Sequence, residues 1–406
     1  GRYIGSGGYN VAVGRSAMHS TLSSGTGQGS GGKNVAVGYN TLFSITSGSS
    51  NVCIGDEAGR DLTEGGSNIA IGRDALSTQT TVAGNTAMGD KAGALVTSGY
   101  GLTLIGNGCG DVCTTGYFNT GLGKDALGSV TSGVQNIAQG VSALLNVTTG
   151  NHNIGIGTGA GQSITTASSN TLVGNYAGAN RSTANNLTAY GSFAAYSNTT
   201  SGQNTAIGDN TLYANQTGNN NVAVGTNALY SCTGANNTAV GRYANMLLTT
   251  ANSNQSFGYN AGYHTTTGDG NINLGGQPST ATASYQITLG GTSQSNLRCN
   301  DTSISSLSDE RDKTDIVDLP VGLDFLNTLK PRQFKWKTRD GNVKDNRIDA
   351  GFVAQELQTA QTNYKYLRLV QDENPNRLEA KQGNLIPLLV KAIQELSAKV
   401  TALEAG

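Results

Sequence analysis

From residue 34 to residue 275 the chain repeats one short pattern: Asn, a β-branched residue, a small residue, a bulky apolar residue, Gly. The unit ends at Gly38, Gly55 and Gly72, and then every 17 residues to Gly225. After one 16-residue step it continues at Gly241, Gly258 and Gly275, and an earlier copy ends at Gly14 ahead of a Gly/Ser-rich insertion. Fifteen units in phase with so short a period specify a solenoid in which each unit is one coil.

Within a unit, the residue before Gly (Val37, Ile54, Ile71, Met88, Ile105, Phe257) and the residue three before it (Val35, Val52, Ile69, Thr86) fall on one face of a strand. The intervening small residue (Ala36, Cys53, Ala70, Ala87) falls on the other. A strand apolar on both faces is buried on both. The bulky face is expected to fill the coil's own interior, and the small-residue face to take a close neighbour. Thirteen of the fifteen units place Asn four residues before Gly (Asn51, Asn68 and so on), which predicts an amide ladder along the axis. The Gly is expected to adopt a positive φ or to admit the next backbone, with a small residue three positions later (Ala58, Ala75, Ala92) at a tight corner. Fourteen steps of ~4.8 Å give a rod of roughly 65–70 Å.

Composition fits this picture. Of 406 residues, 58 are Gly, 13% are charged and 36% are apolar, too few for several large cores but too uncharged for a disordered chain. Five prolines and no G-X-Y period exclude collagen, and no run of eighteen apolar residues spans a bilayer, so membrane insertion is not expected. A net charge of −1 offers no basic field, so no nucleic-acid partner is expected. Cys53, Cys109, Cys113, Cys232 and Cys299 are scattered and odd in number; Cys53 and Cys109 occupy small-residue positions of the repeat and read as packing residues. The chain opens on Tyr3-Ile4-Gly5 with no starting Met, as though inside a repeat of a longer protein.

The Asn-Val-Ala-Val-Gly and Asn-Ile-Ala-Ile-Gly units, each followed by an Ala-containing corner, resemble the head repeat of trimeric autotransporter adhesins. The resemblance covers roughly residues 1–290 and implies a parallel β-roll packed as a homotrimer, whose sister chains would supply the neighbour that the small-residue face requires.

Near residue 300 the chain changes character. Residues 1–300 hold 10 Lys+Arg and 10 Asp+Glu, whereas the last 106 hold 15 and 16, together with Trp336 and four of the five prolines. The division read from this is a repeat domain over 1–290, a linker over 291–307 and a C-terminal domain over 308–406 with a terminal helix at 384–404. Taken alone, Ser308 ahead of acidic residues reads as a turn or helix N-cap, and Ser306 with Asp309 fits a capping box. Four ordered blocks change that reading: Ser308-Asp309-Glu310-Arg311-Asp312-Lys313-Thr314-Asp315-Ile316, Leu329 to Trp336, Gly351-Phe352-Val353-Ala354-Gln355-Glu356-Leu357, and Leu385 to Leu396. They are similar to the endosialidase-type intramolecular chaperone domain at the ends of phage tail spikes and fibres. The departures are Asp312, where that family has an apolar residue, and a polar stretch from Gln358 to Gln371.

The resemblance implies a domain that trimerises the upstream rod and then cuts itself off, with Ser308 as nucleophile and Lys313 as general base. Lys313 would have to give up its proton well below the ordinary ~10.4, through burial or a nearby positive charge, for which Arg311 is nearest in sequence. Attack by Ser308 on the carbonyl of Leu307 passes through a five-membered ring, which favours cleavage between Leu307 and Ser308. Downstream, Ile386, Leu389, Ile393, Leu396, Val400 and Leu403 are spaced 3, 4, 3, 4, 3, a coiled-coil seam. β-Branched a positions with Leu at d ordinarily favour two strands, so the number three comes from the resemblance; the bland alternative is an amphipathic helix packed on its own domain.

The fold class expected is therefore mainly β, a parallel β-roll or β-solenoid rod of 17-residue coils, homotrimeric, followed by a small α/β chaperone domain ending in a coiled-coil helix. The function expected is that of the C-terminal part of a homotrimeric tail fibre or other extracellular surface fibre. Its partners would be itself and a host cell-surface glycan or other receptor, and no cofactor or metal is expected. The corner residues Tyr39, Tyr117, Tyr176, Tyr213, Tyr243, Tyr259 and Tyr263 would suit sugar stacking, but each serves equally as corner packing, and none is singled out. The alternative is a glycan-degrading tail spike, which commonly needs paired carboxylates. The rod's acid clusters are Asp56 with Glu57 and Asp61 with Glu64, while His19, His152 and His264 are too dispersed for a metal site. Ice binding would need regular outward Thr rows, and the Thr-rich corners are read as drifting in register.

Overall fold

The computed structural model describes residues 8–19, 31–180, 183–276, 282–291, 308–335, 348–372 and 378–406. The chain divides into two compact units, Gly1–Gly291 and Thr292–Gly406.

The first unit is a parallel β-solenoid. Its strands are three residues each, from β1 (Val11–Val13) and β2 (Val35–Val37) through β16 (Ile272–Leu274) to β17 (Ile287–Leu289), and together they form one sheet. Each strand pairs in parallel with the next one in the sequence, with equivalent repeat positions opposite one another: Val35, Ala36 and Val37 face Val52, Cys53 and Ile54. β17 is a further strand beyond the fifteen phased units. A 15-residue step hides its Ile287-Thr288-Leu289-Gly290 from the 17-residue count.

Three repeated features hold one coil on the next. Each unit's terminal Gly has φ between +121° and +142° from Gly14 to Gly258. At nearly all of them, Gly89 and Gly174 among them, an added Cβ would run into the backbone of the glycine one coil on, so the positive φ and the close approach are both required. The ladder asparagines stack as the spacing predicts. The backbone N–H and side-chain Nδ2 of Asn51 both donate to Asn34 Oδ1, at 2.9 and 3.0 Å, and Nδ2 also donates to the Gly65 carbonyl at 2.9 Å. Leu102 and Leu187 interrupt the ladder. Their backbone N–H groups still donate to Asn85 and Asn170, but they pass no amide onward. The Thr-rich corner also keeps its phase rather than drifting. Thr97, Thr114, Thr131 and Thr148 each donate from Oγ1 to the Thr carbonyl one coil on, at 3.1–3.2 Å.

The two strand faces are assigned the other way round from the expectation. The small middle residues Ala36, Cys53, Ala70, Ala87 and Ala138 are at most 1% exposed and lie in the roll's interior. The bulky flanking residues face outward: Ile54, Met88, Ile105, Ile137, Ile207 and Phe257 are each 37–42% exposed. The reason is space. Residues from the far side of the coil, such as Leu42, Ile45, Leu62 and Leu127, already fill the interior and leave room only for a small side chain beneath the strand. Where the strand's middle residue is large, the far side shrinks. Leu104 stands opposite Gly93 and Gly110, and a Cβ on Gly110 would lie 2.8 Å from Leu104 Cδ2. Where it is Gly155, Leu144 fills the gap, 2.7 Å from the position a Cβ would occupy. The outcome is two parallel outward columns, one mostly bulky and apolar and the other β-branched, in which Val and Ile alternate with runs of Thr such as Thr86, Thr103 and Thr120.

Asn153 is buried, accepts from the N–H and Nδ2 of Asn170 at 3.2 and 2.9 Å, and donates to the Ala167 carbonyl at 2.8 Å. Asn153→Ala leaves those buried groups unpaired and is expected to cost about 2–4 kcal/mol. Amide hydrogen exchange at Asn170 is the check: protection should fall there first, and unchanged protection would rule the ladder out as a stabilising element.

Candidate functional site

The second unit is a small α/β domain. Helix α1 (Leu323–Leu326) leads into the antiparallel hairpin of β18 (Arg332–Lys335) and β19 (Ile348–Gly351). Helix α2 (Ala354–Ala360), the short pair β20 (Val370–Gln371) and β21 (Glu379–Ala380), and helix α3 (Ile386–Glu404) follow. Phe325, Leu357, Leu367, Leu369, Val370, Leu385 and Leu388 form the core. Three of these, Leu367, Leu369 and Val370, come from the polar stretch 358–371, whose short apolar run is its one sign of burial. Arg332 ties β18 to α2 through Glu356 at 2.6 and 3.0 Å, and Glu395 on α3 accepts from the Leu323 N–H at 2.7 Å. A groove of about 410 Å³ beside α2 is lined by Leu329, Phe352, Leu357 and Ala360 with Glu356 and Lys330 at its polar side.

Ser308 and Lys313 meet through a single turn. Asp309 sits in extended conformation (φ −66°, ψ 137°) as the N-cap of a 3-10 turn over Glu310–Asp312, and its Oδ1 accepts the Arg311 N–H at 2.9 Å. The turn closes with Lys313 N–H donating to the Glu310 carbonyl at 3.1 Å. Lys313 itself is extended, and its Nζ donates to Ser308 Oγ at 2.5 Å and to the Ser308 carbonyl at 3.0 Å. The cap is therefore Asp309 rather than Ser308, whose hydroxyl is left to the lysine. Leu307, Ser306 and Trp336 lie outside the described residues, and with them the bond expected to be cut and the capping box.

Arg311, the expected source of positive charge, is engaged elsewhere. Its guanidinium pairs with Asp309 at 2.6 and 3.0 Å. This pairing holds the Asp309 carboxyl below the usual carboxylate range and raises the Arg311 guanidinium. Ser308, Lys313 and every residue of the turn are exposed, including Asp312. As placed, the amine donates to the hydroxyl; base catalysis needs the reverse, an uncharged amine accepting the Ser308 proton.

Helix α3 uses two faces. Leu388 and Ala392 are buried against the domain, whereas the six heptad residues, Ile386, Leu389, Ile393, Leu396, Val400 and Leu403, are 43–81% exposed. Packing on its own domain and an outward heptad seam thus coexist in one helix.

Elsewhere the candidate chemistry is absorbed by structure. Glu57 and Asp61 both pair with Arg60, at 2.7 and 2.8 Å, so these acids do not stand as a free carboxylate pair. Tyr213 is stacked between Tyr196 and Tyr230 at 5.2 and 5.1 Å, and Tyr117 is stacked on Tyr100 at 5.1 Å, so these ring faces are taken up within the protein. Arg242 lies 4.5 Å over the Tyr243 ring, and His19 stacks on Phe43. Among the described residues no three His, Cys, Asp or Glu side chains converge as a metal site, and no helix is long and apolar enough to cross a membrane.

Residues 308–366 match the family model described as chaperone of endosialidase. The match begins at Ser308 and covers the turn, α1, the hairpin and α2. Neither a curated protein nor a solved structure matches the chain.

Cys53, Cys109, Cys113 and Cys232 are buried and unbridged, and burial pushes their thiols up, to about 12 for Cys53, Cys109 and Cys232 and to about 11 for Cys113. Little thiolate is then present at mildly alkaline pH, and these four should resist maleimide until the roll unfolds. Peptide mass mapping reads this directly; labelling of Cys53 in the native protein would contradict the interior packing.

Proposed function

We propose that this chain is the C-terminal part of a homotrimeric fibre, phage-type or otherwise extracellular, that binds a host-surface receptor. In this reading its last domain serves as an intramolecular chaperone that assembles the rod and then detaches from it. The observation that carries the reading is the outward apolar column along the solenoid, from Ile54 and Met88 through Ile105 and Ile207 to Val240 and Phe257, flanked by a second column of β-branched residues in which Val52, Ile69, Ile137 and Val222 alternate with threonines. A soluble single chain rarely exposes a contiguous apolar strip of this length, because each uncovered side chain forgoes about 25 cal/mol per Å² of burial. Sister chains carrying the same columns cover it, residue against equivalent residue. The exposed heptad of α3 needs the same kind of partner, and the match to a chaperone of endosialidase from Ser308 onward supplies the agent of assembly.

Release follows from the Ser308–Lys313 pair. The uncharged Lys313 amine takes the Ser308 Oγ proton as Oγ attacks the Leu307 carbonyl carbon. Collapse of the adduct breaks the Leu307–Ser308 C–N bond, the proton passes from Lys313 to the departing nitrogen, and Leu307 is left esterified to Oγ. Water then hydrolyses the ester, giving a Leu307 carboxylate and a chain that begins at Ser308. Holding the reacting groups within one short turn supplies the proximity such a step needs.

Mass spectrometry of the purified protein over time should give two products meeting at the Leu307–Ser308 bond. Ser308→Ala and Lys313→Ala should each leave one intact chain, with the rate down by at least about a hundredfold. An intact wild-type chain after prolonged incubation, or equal cleavage in Ser308→Ala, would remove self-processing from this account.

A further inference from the structure

We propose that Asp309 is the positioning residue of the Ser308–Lys313 pair, acting through both the shape of the turn and the charge beside the amine; this rests on the self-cleavage reading above. Four residues lie between the two, and the five steps from one Cα to the other let the backbone span roughly 16–18 Å if extended. The turn closes that span to a 2.5 Å contact. Among the described residues none packs the turn in place, since no residue of the turn is buried. Its backbone bonds are long, 3.2 Å from the Asp312 N–H to the Asp309 carbonyl and 3.1 Å from the Lys313 N–H to Glu310. The shorter hold is the charge-assisted one. Asp309 Oδ1 takes both the Arg311 N–H at 2.9 Å and Nε at 3.0 Å, while Oδ2 takes Nη2 at 2.6 Å.

One carboxylate thereby does two separable things. As N-cap it fixes the turn that delivers Lys313 to Ser308. As ion partner it cancels the Arg311 charge that would otherwise favour an uncharged Lys313. The charged groups of this turn besides Lys313 are Asp309, Glu310, Arg311 and Asp312, all exposed, and no described ion pair includes Lys313. Removing the Asp309 charge leaves the neighbourhood one unit more positive, which disfavours the protonated amine.

Two substitutions separate the roles. Asp309→Ala loses cap and charge together, and cleavage is expected to slow about tenfold at its pH plateau. Asp309→Asn keeps a capping oxygen and is expected to cleave within about threefold of wild type on the plateau, with its pH–rate midpoint moved to lower pH. The second readout does not depend on cleavage. In a Ser308→Ala background, competitive acetylation of Lys313 followed across pH by mass spectrometry should show the same downward move on adding Asp309→Asn. If Asp309→Ala cleaves like wild type, or the labelling midpoint stays in place in Asp309→Asn, the assignment is wrong. If wild type is not cleaved at all, the self-cleavage reading fails, and the labelling midpoint still decides the role of Asp309.

Discussion

The interior of a 17-residue coil is too narrow to accept both sides of its own strand. With Leu42, Ile45 or their equivalents already reaching across from the far side, only Ala, Cys, Gly or an occasional compensated Leu fits beneath the sheet. The bulky β-branched residues of the strand must then face outward. That one steric limit creates the exposed apolar column on which the proposed assembly with partner chains rests. The same limit explains why size is conserved coil by coil rather than position by position: Leu104 with Gly93 and Gly110, Gly155 with Leu144.

Each thin coil adds only a few apolar side chains to a core that runs the length of the stack, and polar order along the axis reinforces it. The asparagine ladder pairs buried amides and carbonyls that would otherwise be orphaned, and the threonine rows repeat the pattern at a second corner. The terminal glycines permit the close approach that brings these groups into hydrogen-bonding distance. Interior, ladders and glycines are consequences of one repeat length.

The sequence made the repeat, the strands, the amide ladder and the role of the glycines legible, because each is a local property that recurs at fixed spacing. It left the inward face unread. Alternation separates Ala36 from Val35 and Val37 but does not say which side meets Leu42, a contact across the coil. β17 was hidden by a shortened step. Around the candidate site the four blocks singled out Ser308 and Lys313, whose side chains meet in the structure, but the N-cap Asp309 and the turning away of Arg311 are matters of geometry that neighbouring letters do not encode. The burial of Leu367, Leu369 and Val370 was obscured by the polar residues around them.

In the proposed function, assembly and release make opposite demands on the two units: the solenoid acquires neighbours along its apolar column, and the terminal domain brings them and then leaves. The native mass of the purified chain in solution tests this most directly. The account predicts an assembly of three chains, cut or uncut, with no stable single-chain form. A monodisperse, long-lived single chain with Ile105, Ile207 and Phe257 open to water would contradict it.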